Sequence, residues 1–187
     1  GANLQSGDVL EYYLQAQDNY EIDGKRHDPV SSGRLRITII SQEELTTKVV
    51  DELRQIKDRI NDVRLNQDRT RTETRQLSQD TKEKDQIDTA DKAALDRLSN
   101  QQASAATQSR QLAGKLEQLQ GRLEENKSPA QDLKDLSRDV KDDLNRAAED
   151  PMKNANNDLT MAKDAPQPDD RNQKLANAEE NQNKASD

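Results

Sequence analysis

From Val49 to Leu123 one heptad register runs through the chain without a slip, and this repeat limits the folds open to it more than any other feature. Its positions are Val49, Leu53, Ile56, Ile60, Val63, Gln67, Thr70, Thr74, Leu77, Thr81, Lys84, Asp88, Asp91, Leu95, Leu98, Gln102, Ala105, Ser109, Leu112, Leu116, Leu119 and Leu123. A spacing alternating between three and four residues brings these side chains onto one stripe of an α-helix. Both ends of the stripe are apolar and its middle is polar. Between Glu43 and Asn126 there is no proline, and the only glycines are Gly114 and Gly121.

Two architectures satisfy this register. One is a single helix of ~80 residues, roughly 120 Å long at the standard rise, whose polar centre is flexible or holds a partner. The other breaks near Asp85–Asp91 and folds the Val49–Val63 stripe back against Leu95–Leu123. Unbroken phase favours the first. Lys84, Asp88 and Asp91 favour the second, because charges at core positions are costly unless solvated or paired. The balance falls to the bend.

Composition agrees with thin stripes rather than a broad core. Of 187 residues, 29% are hydrophobic and 35% charged, with three Tyr and neither Trp nor Phe. Such a chain offers few large apolar side chains to offset the ordering entropy of a globular interior, whereas long helices bury one stripe and solvate the rest. The fold class expected is mainly α: an antiparallel coiled coil or helical bundle of long helices, preceded by a small two-stranded β segment.

Residues 1–42 form that β segment. Val9 to Ala16 is β-branched and aromatic after the turn signal Ser6-Gly7-Asp8, and Arg34 to Ile40 alternates, with Leu35, Ile37 and Ile39 on one face. The Asp18–Gly33 stretch between them reads as a polar loop joining two antiparallel strands, which are marginal without further cover. Residues 43–163 form the helical region. Ser41 with Glu44 predicts a capping box at its start. Ser128-Pro129 with Gln131 predicts a second helix entry, with Ser128 as N-cap and Pro129 at the first helical position. Leu133, Leu136, Val140 and Leu144 then make an apolar stripe, and Asp150-Pro151 marks a kink or a fresh start. The short link near 127–129 makes the helices on either side antiparallel neighbours. Residues 164–187, after Ala165-Pro166-Gln167-Pro168, read as a polar tail that is a short fraying helix or disordered.

The sequence offers no chemistry to match. His27 is the only histidine and there is no cysteine, so a His- or thiolate-based catalytic or metal site lacks its partners. Asn19, Glu21, Asp23 and Gly24 loosely echo an oxygen-rich calcium loop, but the twelfth position is Val30 and strands, not helices, flank it. Acid pairs such as Asp142-Asp143 are too common in so charged a chain to mark an active site. Net charge is −8, and no segment is basic enough to bind duplex phosphates. No apolar stretch is long enough to span a bilayer. The residues expected to make contacts are therefore packing residues: Val49, Leu53, Ile56, Ile60, Val63, Leu95, Leu98, Leu112, Leu116, Leu119, Leu123, Leu133, Leu136, Val140 and Leu144. Their stripes serve either an intramolecular core or a seam between chains. No cofactor is expected. The expected partner is protein, self-association included, with no nucleic acid and no direct membrane insertion by this segment. The alternative is a ligand- or calcium-binding module using the β-segment loop.

Element order carries a resemblance. Gly7 to Tyr13, Ala16-Gln17-Asp18-Asn19 and Arg34 to Ser41 look like the last two strands of an immunoglobulin-like sandwich. With the Glu43-Glu44-Leu45 helix entry, the Leu119–Lys127 stretch and Asp150-Pro151-Met152, the chain resembles large membrane-anchored bacterial proteins of the planctomycete type, in which such domains precede a coiled-coil region. The resemblance implies an extracytoplasmic, envelope-associated segment of a larger protein, acting as spacer or scaffold. It implies no catalytic residues.

Overall fold

The computed structural model describes residues 3–22 and 25–186. The chain is mainly α. Six short strands precede five helices: β1 Val9–Tyr12, β2 Gln15–Ala16, β3 Glu21–Ile22, β4 Lys25–Arg26, β5 Val30–Ser31 and β6 Leu35–Thr38, then α1 Gln42–Thr81, α2 Thr89–Glu125, α3 Gln131–Glu149, α4 Pro151–Asp164 and α5 Pro168–Ser186. Residues 1–48 and residues 49–187 form two separate compact units.

In the first unit the strands pair antiparallel as β1 with β6, β2 with β5 and β3 with β4. The ladder starts at Val9↔Thr38, resumes at Gln15↔Ser31 and ends at Ile22↔Lys25. The stretch expected to be a loop thus carries β pairing far beyond the two expected strands. The register slips by one residue between ladders and then slips back, so each junction holds an unpaired residue of the kind that bends a ribbon. One face is polar, where Glu11 accepts from Arg34 Nη1 at 3.1 Å and Arg36 Nε at 3.0 Å. Leu10, Tyr12, Leu35 and Ile37 alternate onto the other face and all are exposed.

In the second unit, α1 and α2 form a helical hairpin. The turn is made by the seam charges that looked anomalous in sequence. Asp88 caps α2 in a reciprocal box: Asp91 N–H donates to Asp88 Oδ1 at 2.9 Å and Asp88 N–H to Asp91 Oδ2 at 3.1 Å. Lys84 Nζ reaches Asp91 at 2.6 Å and Asp88 at 3.3 Å. A short-chained acid at positions one turn apart satisfies the free N–H groups of a helix start, which a continuous helix would never expose.

α2 ends in a Schellman turn. Ser128 N–H donates to Leu123 O at 2.8 Å and Lys127 N–H to Glu124 O at 2.9 Å, with Lys127 at φ +50°. This differs from the expected entry into the next helix. Ser128 is engaged by the preceding turn, so α3 begins at Gln131 with Ala130 in the capping position and no side-chain cap. Ser128 Oγ accepts instead from Ala130 N–H at 3.3 Å. Pro151 opens α4 after a break at Asp150, where the missing proline N–H costs nothing.

α3 and α4 run in succession along α2, antiparallel to it. Lys163 Nζ meets Asp96 at 2.7 Å, Ser99 Oγ meets Asn156 at 2.6 Å and Ser109 Oγ lies 3.7 Å from Met152 Sδ. α5 turns back along α4 and α1. The segment expected to be a fraying or disordered tail is thus a 19-residue helix, because Arg171, Leu175, Ala178 and Gln182 recur on one face and are all buried. Leu77, Leu95, Leu98, Leu159, Ala162, Leu175 and Ala178 form one apolar cluster contributed by four helices.

Candidate interaction surface

Of the fifteen predicted packing residues, Val49, Ile56, Val63, Leu95, Leu98, Leu112, Leu116, Leu119, Leu123 and Leu144 are buried. Leu53, Ile60, Leu133 and Val140 are half-buried. Leu136 departs from the expectation, at 51% exposed. Its position follows from the shape of the bundle. α5 covers α1 from its C-terminal end: Arg171 meets Thr81 O, Gln182 Nε2 donates to Thr74 at 3.1 Å, and Arg71 bonds Asn183. There α5 ends. Beyond it, α1 and α3 flank a groove that, among the described residues, no fourth helix fills.

The vacant place is an apolar groove of about 370 Å³ lined by Val50, Leu53, Ile56, Ile60, Leu116, Leu133, Leu136 and Val140, with Arg54 and Lys57 on the α1 side. A wider cavity of about 830 Å³, lined by apolar and polar side chains together, continues it from Ile60 and Val140 to Ala185 and Ser186 at the end of α5. The whole depression follows about 14 residues of α1, roughly 21 Å at helical rise.

The uncharged polar positions of the register, Gln67, Thr70, Thr74, Thr81, Gln102 and Ser109, are buried and used within the bundle. Gln102 Nε2 donates to Gln67 Oε1 at 2.9 Å, joining α2 to α1. Thr74 Oγ1 donates back to Thr70 O at 2.9 Å while accepting from Gln182. Among the described residues, the Gln67 amide nitrogen and the Gln102 and Gln182 amide oxygens have no hydrogen-bond partner. Arg171, only 1% exposed, donates from Nη2 to Thr81 O at 2.7 Å and to Lys84 O at 2.5 Å. It thereby bonds the last carbonyl of α1 and one in the turn after it, with a charge of the sign that the helix end favours.

Sequence reasoning passed over Arg171 and Gln182 as polar tail residues. Their signal was the 171, 175, 178, 182 spacing, which is heptad-like once a paired arginine or glutamine counts as a possible core residue. No equivalent signal marked the groove, which is set by where α5 stops.

Titratable groups with shifted pKa values lie in the hairpin turn and in an ion pair between α2 and α4. The hydrogen bond to Asp91 raises the Lys84 pKa, and the one from Asp91 N–H lowers that of Asp88. Bonding to Asp96 raises Lys163. Among the described residues no three His, Cys, Asp or Glu side chains are placed to hold a metal ion. Asp23 and Gly24 of the calcium-like loop lie outside the described residues. His27 Nδ1 lies 2.8 Å from Asp18 Oδ2, and its ring stacks on Tyr20 at 4.3 Å. Among the described residues no helix is long and apolar enough to cross a membrane. No protein-family profile, characterised protein or solved structure matches the chain.

Proposed function

We propose that this chain is a non-enzymatic structural and interaction module, a helical spacer or scaffold within a larger envelope-associated protein, and that the α1–α3 groove is its docking face. The groove carries the reading. It is a contiguous apolar surface on a bundle whose other exposed faces are mostly charged, and it has the width of a helix because α5 fills the same channel farther along. Grooves of this form take amphipathic helices. The β ribbon supports the larger context: its exposed Leu10, Tyr12, Leu35 and Ile37 face suits packing against a further sheet, as in the sandwich domains that the sequence resembles.

The test is photocrosslinking from a reactive residue placed at Leu53 in the intact parent protein in its host. A docking face yields discrete protein adducts that disappear when Leu136→Asp is added. Uniform absence of adducts, with the protein folded and present, overturns the reading.

A further inference from the structure

The rims of the groove carry opposite charge. On the α1 side stand Arg54 and Lys57, with Arg64 further along. On α3, Asp132 and Asp139 lie at i−4 and i+3 from Leu136 and so share its outer flank, while farther along Asp143 is paired with Arg146. All of these side chains are exposed. α1 and α3 run parallel, and the lining orders their heights: Leu133 and Leu136 line the same groove as Val50 to Lys57, Ile60 and Val140 line both that groove and the wider cavity, and Arg64 and Asp143 line the cavity alone.

We infer that the occupant of the groove is a second copy of this chain, docked face to face about a two-fold axis running along the groove. The inference rests on the docking reading above and names its partner. Such an axis lays α1 of one copy over α3 of the other at equal height, so Arg54 meets the second copy's Asp132 and Lys57 its Asp139. Leu136 of each copy, standing proud of α3, enters the other's groove between Leu53 and Ile60. An axis across the groove would instead set α1 against α1 and α3 against α3, base on base and acid on acid. Charge therefore selects both the partner and its parallel orientation. The existing contacts of these groups do not oppose the exchange. Arg54 with Asp51 at 2.8 Å, Arg138 with Asp139 at 3.4 Å and Arg146 with Asp143 at 3.1 Å are exposed pairs that contribute little in water. A face this short places the contact near the lower end of specific interfaces, with a dissociation constant on the order of 1–100 µM.

Sedimentation velocity of the full chain across ~1–500 µM, spanning that range, tests the inference. A reversible dimer is expected. Leu136→Asp weakens it at least about tenfold, the cost of setting a charge in an apolar groove, while melting of the monomer is unchanged. Arg54→Glu with Lys57→Glu abolishes it, as does Asp132→Lys with Asp139→Lys. The chain carrying all four reversals dimerises again. A strictly monomeric wild-type chain, association indifferent to Leu136→Asp, or no recovery in the fourfold variant each overturns the inference. The photocrosslinking result separates this from failure of the docking reading itself. An adduct with a different protein leaves a docking face occupied by a foreign helix, and no adduct removes both.

Discussion

Arg171 shows how far a charged residue can be drawn into a thin bundle when its environment supplies acceptors. One terminal nitrogen of its guanidinium bonds both the Thr81 carbonyl, the last of α1, and the Lys84 carbonyl in the turn that follows. Arg171→Met removes both bonds; the Thr81 carbonyl keeps the Lys84 N–H at 3.0 Å, while the Lys84 carbonyl loses this donor. A loss of about 2 kcal/mol is expected, read as a lower urea midpoint. Arg171→Lys should recover part of the loss, since one ammonium nitrogen carries hydrogens for both carbonyls on a shorter stem. Lys127 is the opposite case, a residue held in a conformation that its Cβ resists. Its φ of +50° closes the turn after α2, so Lys127→Gly is expected to stabilise the fold by about 1 kcal/mol in the same assay. Neither role was legible in sequence. One depends on a contact ninety residues away, and the other on a turn geometry that glycine usually announces.

Among the elements, the α1–α2 hairpin explains why its stripe is polar at the centre. The Gln67–Gln102 pair fixes one register between two helices that apolar residues alone would hold less specifically. Each amide nevertheless leaves one group unsatisfied. Replacing both by Leu should therefore raise stability by about 1–2 kcal/mol, whereas Gln67→Leu alone strands its partner and lowers it. Calorimetry on the three variants checks the sign of each. The hairpin turn has its own pH signature. The Asp91 N–H bond and Lys84 hold the Asp88 carboxyl below its ordinary range. Its stabilisation is present above the ordinary carboxylate pKa and is lost as pH falls through the lowered folded value. Lys84, raised by Asp91, stabilises below the ordinary lysine range and loses that effect as pH rises through its raised value. The difference in Tm between the wild-type chain and Asp88→Asn is thus expected to be full at neutral pH and to shrink on acidification to ~3. A difference that stays constant would show that the turn does not depend on the charge.

At the scale of the molecule the two units should differ sharply in cooperativity. The ribbon consists of paired strands whose described side chains are exposed, while α2 is covered along its length by α1, α3 and α4. Amide exchange is expected to show protection factors in residues 95–123 near the global limit and protection orders of magnitude lower in residues 9–38. Equal protection in both would mean that the ribbon belongs to the same cooperative unit.

Much of this was decided by spacing along the chain. The heptad from Val49 to Leu123 required helices, and Lys84, Asp88 and Asp91 favoured the bend because three charges cannot share a dry seam. Pro151 and the Ser41 cap marked helix starts through local geometry that needs no distant neighbour. The ribbon's pairing beyond its first strands, the burial of α5 and the exposure of Leu136 were decided only when elements met. A helix stripe states which side chains prefer to leave water, and not which neighbour will cover them. That depends on the length of the covering helix, and here α5 stops where the apolar wall of α1 and α3 continues.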